Sequence, residues 1–243
     1  MKKSGFILAI VMLATCAWAF GDKDNKKGSS SKVVDAGSFS IFMNGKRIAT
    51  EKFHIEQGSD GGTITSEIKV DDGANKAEQT AEMQLASNGE LRLYKWKATV
   101  PEKEESVIEP KDEFLIEHLT PADNKKRDVP YIIPPSAVIL DDNFFSQREL
   151  LVWRYLQAGC VVKNGERLCN PAHFGILVPR QHMAAGTMVE LVGRDKIQVK
   201  NTERELNKFK LDADGTQWLI WVNDEYKVIK MTIPANGVEV FRD

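Results

Sequence analysis

Asn-Gly and Asp-Gly pairs recur along this chain, at Asn44-Gly45, Asp72-Gly73, Asn88-Gly89, Asn164-Gly165, Asp214-Gly215 and Asn236-Gly237. Such pairs tolerate the positive φ of two-residue hairpin turns, whose twist matches that of antiparallel strands. Parallel strands need crossovers of a dozen or more residues. Tight turns at this density therefore predict an antiparallel meander, not βαβ units.

The segments between the turns fit. Phe39, Ile41 and Met43 alternate with Ser38, Ser40 and Phe42; Ile64, Ile68 and Val70 alternate again, and Ala77, Ala81, Met83 and Leu85 line one face. The strand carrying Leu91, Leu93, Tyr94, Trp96, Ala98 and Val100 is apolar on both faces in part and is expected to be central. Between Ile48 and Phe53 the apolar phase slips by one residue, which predicts a bulge near Glu51-Lys52. Residues 121–135, rich in Pro, Asp, Asn and Lys, read as a surface crossover. Trp218 and Trp221 stand an odd number apart, so they face opposite sides of one strand.

One stretch breaks the meander. From about 142 to 158 the sequence predicts the main helix, with Asp141, Asp142 and Asn143 as N-cap and negative charge at the positive dipole end. Gly159 stands where a left-handed C-cap belongs. Phe144, Phe145, Leu151, Val152, Tyr155 and Leu156 share an arc of about 140° at 100° per residue, which should lie on the sheet. Leu150 and Trp153 fall outside it, so a second side is expected to be covered. With Asn164-Gly165 as the next turn, Cys160 faces Cys169 at a non-hydrogen-bonded position, where Cα atoms lie about 4.5 Å apart. A Cys160–Cys169 disulfide follows, contributing roughly 2.7 kcal/mol in the chain-entropy model.

The N-terminus fits an oxidising compartment. Lys2 and Lys3 precede the apolar run Phe6–Ala14, and Ala17-Trp18-Ala19 matches a small-x-small cleavage site. Residues 1–19 are thus expected to be an export signal, too short to span a bilayer. The expected location is the periplasm; the alternative is a lipid anchor at Cys16, although Thr15 fits that motif poorly. Residues 20–35 read as a flexible linker, and 36–243 as a single β-rich domain. Without Lys2 and Lys3 the chain carries a net charge of about −4. That balance is poor for binding a phosphate backbone, so nucleic acid is not an expected partner. No transmembrane segment is expected in the mature chain.

Several short motifs resemble those of a family of bacterial exported domains of unknown function. They are the hairpin Asn44-Gly45-Lys46-Arg47-Ile48-Ala49, the helix start Asp142-Asn143-Phe144-Phe145, the strand Leu177-Val178-Pro179, the hairpin Trp221-Val222-Asn223-Asp224, and the final Arg242. The likeness covers most of the mature chain, with Ala49 standing where that family often has Gly. Such domains are similar in architecture to the lipoprotein-localisation carriers and their mycobacterial relatives. The resemblance implies an all-β fold with one main helix: a curved antiparallel half-barrel closed by the helix over an apolar cavity.

The usual catalytic signatures are missing. His54, His118, His173 and His182 form no HExxH or close Cys/His cluster, so no metal is expected. Asp212-Ala213-Asp214-Gly215 lacks the acid that would end a calcium loop. No nucleophile elbow, phosphate loop or dinucleotide fingerprint is present, and neither an enzyme nor a cofactor is expected. The candidate ligand-binding residues are Phe144, Phe145, Tyr155, Trp96 and Trp218, with Arg148 on the apolar arc of the helix. An unpaired buried guanidinium is costly, so Arg148 needs either a structural partner or the anionic head of a ligand. The expected function is a non-enzymatic cell-envelope binding module for a hydrophobic or amphiphilic, lipid-like ligand. The alternatives are an envelope scaffold that binds another protein and has a filled core with no cavity, and a hydrolase with an unrecognised site.

Overall fold

The computed structural model describes residues 31–243 apart from Ala74, Lys200 and Asp214. The expected signal (1–19), Cys16 and most of the expected linker lie outside the described residues. The described residues start in the middle of a sheet and run outward to one edge as successive hairpins. These strands are β1 (Lys32–Met43), β2 (Lys46–Gly58), β3 (Gly61–Asp71), β4 (Lys76–Ala86), β5 (Leu91–Val100), β6 (Glu104–Lys111), β7 (Phe114–Thr120) and β8 (Arg127–Tyr131). A crossover follows, with β9 (Val138–Ile139), the helix α1 (Gln147–Ala158), and the hairpin β10 (Cys160–Lys163) and β11 (Glu166–Cys169). The chain re-enters at the opposite edge and returns through β12 (Ala172–Val178), β13 (Met183–Val199), β14 (Thr202–Ala213), β15 (Thr216–Val222), β16 (Val228–Ile233) and β17 (Val238–Arg242).

Because β17 pairs with β1, the two halves form one 15-stranded sheet. Every pairing is antiparallel except β9 with β12. The sheet is not closed: β8 and β9 are its edges. The all-β class with one main helix and an antiparallel meander is therefore the observed architecture. The inner-face side chains gather in one core with those of α1.

Several local expectations are corrected. The bulge on β2 is at Ile48, since Ile41 pairs with Ala49 and Phe42 with Arg47. From Ala49 onward the inward positions are odd, which makes Glu51 an inward carboxylate instead of a bulge residue. Strand β1 begins at Lys32, so the span Lys32–Asp35 is strand, not linker. The crossover at 121–135 contains an extra strand, β8, which tolerates Pro130 because it is an edge.

The helix also differs from its expected limits. It starts at Gln147, not at 142, and Asp141 to Ser146 form a turn ahead of it. Gly159 closes it with φ −98°, so no left-handed cap is used. Leu150 is buried and Trp153 half-buried, as expected of a helix covered on a second side. The disulfide is present, joining the facing pair Cys160 and Cys169 at a Cα separation of 4.1 Å.

Trp218 and Trp221 do face opposite sides: the first belongs to the main core and the second to a small outer cluster with Val199, Leu206 and Ile229. That cluster exists because β13 is one long bent strand. Val192 is an extra residue between the pairs Leu191–Phe209 and Gly193–Lys208, and Gly193 adopts φ +135°, a conformation open to glycine. Beyond the bulge the inward phase changes, and the hairpin tip covers Trp221, whose Nε1–H donates to Asp195 at 3.1 Å.

Candidate functional site

The turn before α1 is held mainly by the sheet, with Asp141 Oδ1 accepting the Asn143 N–H at 3.3 Å within the turn itself. Glu51 is completely buried. Its carboxylate accepts the N–H of Phe145 (2.7 Å), the N–H of Ser146 (3.3 Å) and the hydroxyl of Ser146 (2.6 Å). A carboxylate from β2 thus satisfies N–H groups that a helix start leaves unpaired. Burial pushes Glu51 up to about 7, against these hydrogen bonds. Asp141 also reaches beyond the turn. It accepts the Tyr94 hydroxyl at 2.7 Å and Arg180 Nε at 2.6 Å.

Beside this turn lies a cavity of about 370 Å³ on the concave side of the sheet. Its apolar wall includes Ile41, Ile68, Ile176, Leu211, Ile233 and Val238. Exposed Met43, Gln181 and Asn236 in the same lining place one end at the surface. Arg148, Phe145 and Trp218 are on the wall nearest the helix. Arg148 Nη1 donates to the carbonyls of Asp141 and Phe144, and its guanidinium stacks 4.5 Å from the Trp218 ring centroid. Burial lowers its pKa, opposed by Asp142, Asp141 and Glu51. Among the described residues no ion pair anchors it, and its Nε has no hydrogen-bond partner. It neither pairs with a sheet carboxylate nor reaches past the helix edge.

A second cavity, about 310 Å³, lies where the two ends of the open sheet approach each other. Glu117 of β7 is its polar centre. One oxygen accepts Ser106 Oγ at 2.6 Å; the other meets the Tyr131 hydroxyl at 2.5 Å and His182 Nδ1 at 3.0 Å. His182 follows the 3-10 turn Pro179–Gln181 in a left-handed conformation. Its contacts to β7 and β8 therefore latch one side of the sheet opening to the other. Arg180 of the same turn stacks 4.4 Å from the Trp96 ring centroid. A larger depression, about 570 Å³, is lined by alternating outer-face side chains such as Lys52, Glu67, Glu82 and Lys97, and is a solvated surface.

The expected ligand residues are therefore split. Phe145, Arg148 and Trp218 meet at the concave cavity, whereas Trp96 lines the seam cleft. Phe144 and Tyr155 are fully buried. Tyr155 packs edge-on against Phe209, and its hydroxyl accepts the Leu191 N–H at 3.2 Å. Sequence reasoning missed Glu51, Asp141, Glu117, Arg180 and His182 as site residues. For Glu51 a signal was available, because an acid in an inward strand phase must be paired or buried. For the seam residues only folding brings the positions together. Among the described residues no group of three or more His, Cys, Asp or Glu side chains is arranged to hold a metal. Among them, too, no helix is long and apolar enough to cross a membrane.

No family model matches this chain, and no curated protein does. Among solved structures it is similar to the crystal structure of a β-barrel-like protein of the domain of unknown function DUF1849 from Brucella abortus. The match has a TM-score of 0.53 at 8% identity and covers 86% of this chain and 94% of the other. At that identity the likeness shows the fold alone: a β-barrel-like sheet, shared with a domain of unknown function. The disulfide in the same chain fits an oxidising environment.

Proposed function

We propose that this protein is a non-enzymatic binding module of the bacterial cell envelope, exported to the periplasm, and that its concave cavity takes an amphiphile with an anionic head. One observation carries the reading. The cavity is walled by aliphatic side chains, and a buried cation with an unpartnered Nε lies on its helix side. Apolar pockets with a few convergent polar groups are the common form of small-molecule sites. A carboxylate or phosphate head would give Arg148 the charge-assisted partner it lacks, with the tail against Ile41, Ile68 and Leu211. The half-barrel carriers that the sequence resembles supply an analogy of fold for such use. Export rests on the signal-like segment 1–19 together with the disulfide. A mature N-terminus at Cys16 bearing acyl mass would replace free periplasmic location with an anchored one.

The test is native mass spectrometry of the protein purified from its own host, followed by calorimetry with decanoate. A co-purifying acyl ligand and saturable decanoate binding are expected, both abolished by Ile68→Trp, which fills the cavity. A protein that purifies without ligand and ignores decanoate overturns the proposal.

A protein-docking scaffold has one observation in its favour. Val161, Val162 and Leu168 are exposed on the disulfide hairpin at 65, 68 and 49%. A hydrolase would draw on the Glu117–His182 pair, but Ser106 donates to Glu117 and not to His182. That geometry leaves Ser106 without the histidine partner of a Ser–His pair.

A further inference from the structure

The seam cleft has a chemistry that the concave cavity lacks. Its volume, about 310 Å³, is at the lower end for small-molecule sites. Two donors in its lining residues have no acceptor among the described residues: Nε1 of Trp96 and Nη2 of Arg180. Trp96 is only 6% exposed, and the Arg180 guanidinium lies over its ring, so the two unmet donors belong to one stacked pair. Buried N–H groups in folded proteins are nearly always paired. Glu102 and Glu104 line the same cleft, and neither side chain has a hydrogen-bond or ion-pair partner among the described residues. Glu117 differs from them, because Ser106, Tyr131 and His182 already surround it. Ala98, Pro101, Leu119 and Pro179 supply apolar wall between the two polar ends.

A simple anion would satisfy the donors but meet two free carboxylates. A simple amine would leave the donors unmet. A molecule carrying both charges satisfies both sets. We infer that the cleft binds a small zwitterion of the amino-acid type, with its carboxylate accepting from Trp96 and Arg180 and its ammonium donating to Glu102 and Glu104. The short aliphatic part of such a ligand lies against Leu119 and the prolines. This site is separate from the concave cavity and does not depend on what that cavity holds.

The purified protein is screened by thermal shift against the common L-amino acids, and the best ligand is compared by calorimetry with its deaminated acid and its decarboxylated amine. At least one amino acid is expected to raise the melting temperature, and each half-ligand to bind about tenfold more weakly or worse. Trp96→Phe removes the unmet donor, keeps a ring beneath Arg180 and breaks no existing hydrogen bond. It is expected to stay folded, with a modest loss of melting temperature from the smaller ring, and to weaken the amino acid about tenfold. Glu104→Gln is expected to weaken the amino acid while leaving the deaminated acid unaffected or improved. The inference is overturned if no amino acid binds, if the deaminated acid binds as well as the amino acid, or if both substitutions leave affinity unchanged.

Discussion

A carboxylate without solvent contact creates a conflict at Glu51, between the cost of burying charge and the N–H groups that favour it. Burial wins, and its pKa is raised from 4.5 to about 7. The folded state therefore holds a proton that the unfolded chain releases near pH 4.5. The stability from this group is complete below that pH and is lost as pH rises through about 7. Urea midpoints of the parent and Glu51→Gln across pH 4–8 should diverge in that window, the parent losing on the order of 3 kcal/mol that the variant retains. Parallel curves would reject this role. Arg148 works on the same turn from the other side, donating to two buried carbonyls. Arg148→Met leaves both without that donor and is expected to cost about 2–4 kcal/mol by urea denaturation. The sequence marked Arg148 by its place on an apolar arc. It could not show that the partners would be backbone carbonyls, because residues 141–146 look helical in periodicity yet fold as a turn gripped by Glu51.

At the scale of elements, the β13–β14 hairpin depends on one backbone conformation. A Cβ at Gly193 meets no neighbour within 4 Å, but φ +135° disfavours any side chain. Gly193→Ala is expected to cost about 1–3 kcal/mol through strain alone. Relaxing the bulge should uncover Trp221, seen as red-shifted emission and easier quenching by acrylamide; an unchanged spectrum would argue against the hairpin as its cover. The β10–β11 hairpin is an independent two-stranded sheet, and its disulfide closes a short loop. Replacing both Cys160 and Cys169 with Ser should lower stability by no more than about 3 kcal/mol, with the far-ultraviolet spectrum retained. That pairing was legible because a two-residue turn fixes register by counting. The bend of β13 was not, since a bulge shifts phase without any distinctive residue except a glycine that could equally mark a turn.

Across the whole molecule, the sheet is held at two places far apart in sequence. At the centre, Arg242 of the last strand donates to both oxygens of Asp35 in the first, at 2.7 and 2.6 Å, and to the Val228 carbonyl at 3.1 Å. It also approaches Glu149 of the helix at 3.5 Å. Burial, with Asp35 close by, pushes Glu149 up to about 9. Arg242→Ala leaves Asp35 largely buried without this partner and is expected to cost about 3–5 kcal/mol, measured by urea denaturation. A loss below about 1 kcal/mol would mean that β1–β17 pairing holds without it. At the other place, Glu117, Tyr131 and His182 latch the open ends. The sequence by itself determined the antiparallel meander, the main helix, the disulfide and the opposed faces of Trp218 and Trp221, because each follows from turn chemistry or from periodicities of two and 3.6 residues. Only the tertiary structure decided which strands became edges, that the sheet stayed open, and which distant polar residues met at the seam. Those outcomes depend on how twist and bulges add up over fifteen strands, and no local pattern in the chain encodes that sum.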